Sequence, residues 1–169
     1  MALCAMLCFS CTQDNVHMPD GGMETWETYT ASYEGIMSTT VPLMEEHLQD
    51  GPVRTRMTVQ VGGFHAAHSG YVCVRTQPFV IDDPFVTGLL GEPIRIGEMS
   101  IEGVEYAAFP TGGGFLKKDA FELQAGQYLT RGELHGQLSP TGRLTLTICY
   151  RPGAMPFEVR SDFDTATDR

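Results

Sequence analysis

The residues from Gly132 to Tyr150 leave the backbone few options. Leu144, Leu146, Ile148 and Tyr150 alternate with Arg143, Thr145, Thr147 and Cys149, the period-two pattern of a strand with one buried face. Just upstream, Ser139-Pro140-Thr141-Gly142 suits a type I turn closed by a left-handed glycine. Serine favours the first position, proline pre-sets the second, and glycine takes positive φ cheaply. A three-residue hairpin loop of this kind sets the register. It predicts Leu138 opposite Leu144, Gly136 opposite Leu146, Leu134 opposite Ile148 and Gly132 opposite Tyr150. Gln137–Thr145, His135–Thr147 and Glu133–Cys149 then share the other face. One face is apolar, with small residues opposite large ones, and the other is polar. Such a unit belongs to an antiparallel sheet curling around a core.

The remaining chain reads as more strands. Its 169 residues suit one domain with a real core, and its 19 glycines and 10 prolines fall between short apolar runs, as in an all-β chain with many turns. Strands are expected at Tyr29–Met37, at Val53–Val61 (ended by Gly62-Gly63) and at Tyr71–Thr76, with Pro78–Ile81 continuing past a kink. Val41–Pro52 is a connection with one helical turn around Leu43 to Leu48. Asp82-Asp83-Pro84 marks a turn and Gly88–Pro93 a loop. Ile94 and Ile96 differ in parity from Met99 and Ile101, which predicts a bulge at Gly97, and Glu102-Gly103 reads as a tight turn before Val104 and Tyr106. Thr111–Gly114 is a glycine loop, Phe121 and Leu123 a short strand, and Phe157, Val159 and Phe163 share one face of the last strand. Eight to nine short strands at this spacing make a barrel or a sandwich. The first and last lack the repeated Lys or internal Pro that protects an edge, so they are expected to pair with each other.

A net charge of −10 and 11 scattered basic residues exclude the Lys and Arg clusters that nucleic acid requires. Cys73 and Cys149 sit in predicted strands without metal-type spacing and read as small, unbridged hydrophobes. Met1–Ser10 is apolar and uncharged, then Cys11-Thr-Gln-Asp-Asn turns polar. That apolar piece is too short to span a bilayer, which takes about 20 residues. It resembles the end of a bacterial lipoprotein signal peptide, in which small residues precede a cysteine that becomes diacylated. Ser10 and Cys11 match the last two positions, while Phe9 and Cys8 depart from the usual small and Leu residues. The resemblance implies a leader at 1–10, lipid attachment at Cys11, a polar tether at 11–25, a folded domain at 26–164 and a tail at 165–169. The competing reading of the same residues is an unprocessed, frayed apolar end.

Four segments together resemble a group of calycin-like β-barrel domains found in cell-envelope lipoproteins of Bacteroidetes. They are Tyr33-Glu-Gly35, the run from Pro93 to Val104, Gly142–Tyr150 and Met155–Phe163. The resemblance covers about Tyr29 to Phe163. It implies a single antiparallel up-and-down barrel of about eight strands, a lipid-anchored envelope location, periplasmic or at the surface, and no enzymatic activity. Lipocalins carry a Gly-x-Trp at the first strand; here Gly22 and Trp26 stand too far apart, so lipocalin transport does not carry over.

Little catalytic chemistry is written in the chain. No HExxH, GxSxG or P-loop pattern occurs, and neither an enzyme nor a cofactor is expected. His65 and His68 in FHAAH follow two glycines and precede Ser69-Gly70, so they read as loop histidines; a metal would need further ligands such as His47 or His135. Glycines 112 to 114 lack the helix start that an anion cradle uses. Glu133 and His135 share a polar strand face but have no nucleophile beside them. Tyr106, Phe109 and Phe115 flank the glycine loop and are the candidates for aromatic residues at a barrel mouth, or for a core plug. Two functions follow, the first as the leading reading and the second as its alternative. One is a lipid-anchored barrel that binds a small hydrophobic or neutral ligand, or a short peptide, at its mouth. The other is a filled barrel that binds another envelope protein through its surface.

Overall fold

The structure, a computed structural model of the chain, describes residues 27–41, 51–65, 67–125, 128–152 and 157–165. Eight of its strands close into a barrel: β1 (Tyr29–Thr40), β2 (Val53–Phe64), β3 (Gly70–Thr76), β6 (Met99–Ala108), β7 (Gly114–Ala125), β8 (Tyr128–Leu138), β9 (Leu144–Pro152) and β10 (Val159–Asp164). Their order is β1-β10-β9-β8-β7-β6-β3-β2, every pair is antiparallel, and β1 pairs with β10 to close the ring. The Ser-Pro-Thr-Gly hairpin has the predicted register, from Leu138 opposite Leu144 to Gly132 opposite Tyr150. Gly142 has φ of 83°, and Ser139 and Arg143 close the loop with a 2.9 Å backbone bond. Phe109-Pro110-Thr111-Gly112 builds the same turn between β6 and β7, with Gly112 at φ of 88°.

Three insertions shift the pairing, and each carries a change of side-chain parity. Gly62-Gly63 does not end β2: Gly63 takes φ of 71°, and the extra residue lets both Val61 and Phe64 face inward. Glu102-Gly103 is likewise a bulge rather than a turn, with Gly103 at φ of 60° opposite Cys73, and β6 runs on through it. A third, between Lys118 and Phe121, lies inside a β7 much longer than the short strand expected around Phe121.

The segment between β3 and β6 departs most from the sequence expectation. Phe79–Ile81 (β4) does not prolong β3; it leaves the barrel and pairs with Ile94–Ile96 (β5) in a separate two-stranded ribbon. The parity change at Gly97 marks passage between two sheets, not a bulge. Between the ribbon strands, Pro84–Leu90 forms helix α1 where a turn and a loop were expected. The Asp83 carboxylate accepts from the Phe85 and Val86 N–H groups at 2.9 and 3.0 Å, Pro84 occupies the first turn and Gly91 ends the helix at φ of 82°. The helical turn expected around Leu43 to Leu48 lies outside the described residues.

Among the described residues, the mid-section of the barrel interior is packed. Met37, Val59, Val74, Met99, Ile148 and Val159 come from six strands and have no accessible surface; Leu134 and Leu116 add the remaining two strands at 0% and 2%. A side chain with no accessible surface lines no void large enough for water. Glycines make room for the large ones: a Cβ on Gly35 would lie 2.8 Å from the Phe163 ring, and one on Gly136 would lie 2.3 Å from the Leu146 side chain.

Candidate functional site

The aromatic residues expected at a mouth fall on both sides of the wall. Tyr106 pairs with Leu116 and faces inward, whereas Ala107 pairs with Phe115 and faces outward. Tyr106 is 2% exposed, its hydroxyl donates to the Gly113 carbonyl at 2.9 Å, and its ring packs edge-on against Phe64 with centroids 5.0 Å apart. Phe115 is 51% exposed and meets Phe109 edge to face, centroids 4.8 Å apart. The structure thus brings Phe109 and Phe115 together and separates them from Tyr106. Tyr33, half-buried near Tyr29 and Tyr106, has its phenol pKa raised by burial and then by the neighbouring phenols.

The remaining candidates are also placed. His65 and His68 lie on the β2–β3 loop with ring centroids 4.4 Å apart, and His65 Nδ1 accepts from the Ala67 N–H at 3.3 Å. His47 and Cys11 lie outside the described residues. Among the described residues, no group of three or more His, Cys, Asp or Glu converges as a metal site. Glu133 and His135 are neighbours on the outer wall at 4.0 Å, both about half exposed. In the glycine loop, Gly113 packs so closely on the next turn that a Cβ would lie 2.2 Å from the Leu138 carbonyl oxygen. Cys73 and Cys149 form no disulfide. Cys73 meets Ser100 Oγ at 3.5 Å. Burial, followed by Glu158 and Glu133, pushes the Cys149 thiol pKa up.

Sequence reasoning did not single out the feature that the barrel makes on its outer wall. Strand register aligns Lys117, His135, Thr147, Asp162, Ser38 and Arg54 in one row across β7, β8, β9, β10, β1 and β2. A second row, Phe115, Gln137, Thr145, Asp164, Ile36 and Arg56, crosses the same strands two residues further along. A furrow of ≈ 600 Å³ lies over the β6–β9 part of these rows and one of ≈ 340 Å³ over the β9–β2 part; Thr145, Leu146 and Thr147 line both. The carboxylates along it are tied down. Thr147 donates to Asp162 at 2.6 Å, Arg160 grips the same carboxylate at 2.9 and 3.1 Å, and Arg143 forms a bidentate pair with Asp164. The only sequence signal for this surface is the polar alternation of β8 and β9; which strands continue the rows depends on barrel order.

These features define a closed eight-stranded up-and-down barrel with, among the described residues, a packed and mainly apolar mid-section and a furrowed outer wall of mixed polar and apolar lining. No protein-family model and no curated protein matches the chain. Among solved structures, the chain is similar to one named a "putative outer membrane protein" of Bacteroides fragilis, at 16% identity and a TM-score of 0.54. The match covers 80% of this chain and 49% of that one, so this chain spans about half the length of its structural neighbour. At this identity the likeness is one of fold.

Proposed function

We propose that the chain is a non-enzymatic recognition module of the cell envelope, a filled barrel that acts through its outer wall. The observation that carries this reading is the packed mid-section, to which every strand contributes an inward side chain at most 2% accessible. A barrel that holds a small ligand needs an interior volume that these side chains occupy. The envelope location is supported by the fold shared with a protein named for the outer membrane and by the apolar segment ending at Cys11. Charged residues such as Glu105, Lys117 and Arg54 face outward while Leu, Ile and Val face inward. That is the reverse of a membrane-spanning barrel, whose outer band is apolar. The barrel therefore stands in water, and a lipid on Cys11 holds it to the membrane.

Two measurements test this. Expressed with its leader in a diderm bacterium, the chain is expected in the membrane fraction, and Cys11→Ser in the soluble one; an unchanged distribution overturns the anchor. Native mass spectrometry of the protein released from its envelope tests the filled barrel: a stoichiometric apolar ligand that survives desolvation overturns it and restores binding at the mouth.

A further inference from the structure

Resting on the outer-wall reading, we infer that the furrow binds a neutral, linear, hydroxyl-rich polymer, an oligosaccharide, laid across the strands. The shape fits a chain rather than a compact ligand. The two parts share Thr145–Thr147 and run over seven strands, roughly 29 Å along the wall at about 4.8 Å per strand. The electrostatics fit a neutral one. Although the chain carries a net charge of −10, most charges along the furrow are paired: Lys117 bonds Asp119, Asp162 is gripped by Arg160, and Arg143 pairs with Asp164. A polyanion or a polycation would find no field of opposite sign.

The side chains fit hydroxyl groups. Ser38, Gln137 and His135 present donors and acceptors, and Thr145 and Thr147, whose hydroxyls donate to the Gln137 carbonyl and to Asp162, present acceptor oxygens; a sugar hydroxyl can serve either kind. At one end Phe115 offers a half-exposed ring held edge-on by Phe109, a platform for the C–H-rich face of a pyranose against the electron-rich ring face. Peptide recognition has less to work with. The closed barrel offers no free edge for strand addition in β1 or β10. Across the strands, Phe115 and Ile36 are separated by Gln137, Thr145 and Asp164, so the two large apolar side chains of that row stand far apart, and a lone pair of phenylalanines is not the aromatic groove a proline helix uses.

The test is a panel of neutral oligosaccharides of increasing length, covering α- and β-glucans, xylans, mannans and chitin fragments. Binding to the intact folded barrel is read by affinity electrophoresis and calorimetry. At least one class is expected to bind, with affinity rising with chain length and then levelling. Phe115→Ala and Gln137→Ala are each expected to weaken it at least tenfold without a change in Tm, whereas Tyr71→Ala, exposed but off the furrow, leaves it unchanged. No binding across the panel, or binding that Phe115→Ala and Gln137→Ala both leave intact, overturns the assignment. A photo-crosslinker at Gln137 separates this failure from that of the parent reading. Specific capture of one envelope protein with no bound sugar overturns the glycan and leaves the outer wall as the working surface. No capture and no sugar, with an apolar ligand found inside the barrel, overturns both.

Discussion

At the scale of single residues, the barrel interior holds a few hydroxyls whose fates differ. Ser161 Oγ bonds Thr39 Oγ1 at 3.0 Å and the Tyr150 hydroxyl at 3.3 Å, so three buried oxygens satisfy one another. Thr76 Oγ1 is buried without a hydrogen-bond partner among the described residues. An unmade bond costs about 1–3 kcal/mol while a made one contributes about 1. Ser161→Ala should therefore destabilise the barrel by about 1–2 kcal/mol, and the nearly isosteric Thr76→Val should stabilise it by about 1 kcal/mol, both read from urea midpoints at constant slope. Tyr150 sets a pH limit. Burial raises its phenol pKa well above 10.0 despite the opposing bond from Ser161. The folded state then keeps a proton that the unfolded chain loses above pH 10.0, so stability present below that pH is lost as pH rises. The fall in stability between pH 9 and 11 should be shallower in Tyr150→Phe, but still present because Tyr33 and Tyr106 are raised as well. An identical slope would assign the alkaline loss elsewhere.

At the scale of elements, the turn glycines differ in what surrounds them: Gly142 shares its turn position with Gly112, and Gly113 follows one residue later, at the position Arg143 holds in the other turn. Gly142 has φ of 83° and a methyl group there would meet nothing within 4 Å, whereas Gly113 has φ of 76° and a Cβ there would strike the Leu138 carbonyl oxygen at 2.2 Å. Gly142→Ala should cost only the left-handed backbone penalty, about 1–2 kcal/mol. Gly113→Ala should cost visibly more, because one hairpin must move off its neighbour, and thermal melts of the two variants decide this. The hairpin containing Gly142 was legible in the sequence down to its register, since alternation and turn chemistry are both local. The β4–α1–β5 excursion was not: an apolar run of three residues reads alike whether it joins the barrel or a ribbon beside it. Its helix had a usable signal in Asp83 before Pro84, a cap and a first-turn proline, which a turn also accepts. Gly62-Gly63 and Glu102-Gly103 were visible as breaks, read as a strand end and a tight turn, because composition alone does not separate a bulge from either.

For the whole molecule, the legible part was the closure and the illegible part was the furrow on the outer wall. Both follow from the ring. Closure was inferable because two unprotected edges need each other, and β1 and β10 pair from Ile36–Asp164 to Thr40–Arg160. The furrow was not, because its rows join residues more than a hundred positions apart, such as Ser38 and Asp162. Closure also sets where the chain can be shortened. Ending it at Pro156 removes Phe157, Val159 and Phe163, all buried, worth about 5–9 kcal/mol at roughly 1.5–3 per side chain. That loss is comparable to the whole stability of a typical domain, about 5–15 kcal/mol, and it opens β1 and β9 as aggregating edges. Ending it at Phe163 keeps the core but removes two latches: the Asp164 carboxylate that pairs with Arg143, and Thr165, which exchanges 3.1 Å bonds with the Leu144 backbone through its N–H and hydroxyl. These latches set the expected limit of shortening at Thr165. Three lengths should rank accordingly: full stability when ended at Thr165, a loss of about 1–3 kcal/mol when ended at Phe163, and an insoluble or molten chain when ended at Pro156. Amide exchange across β1 and β9 is the deciding measurement, since a chain ending at Pro156 that still protects both strands would mean that the barrel closes without β10.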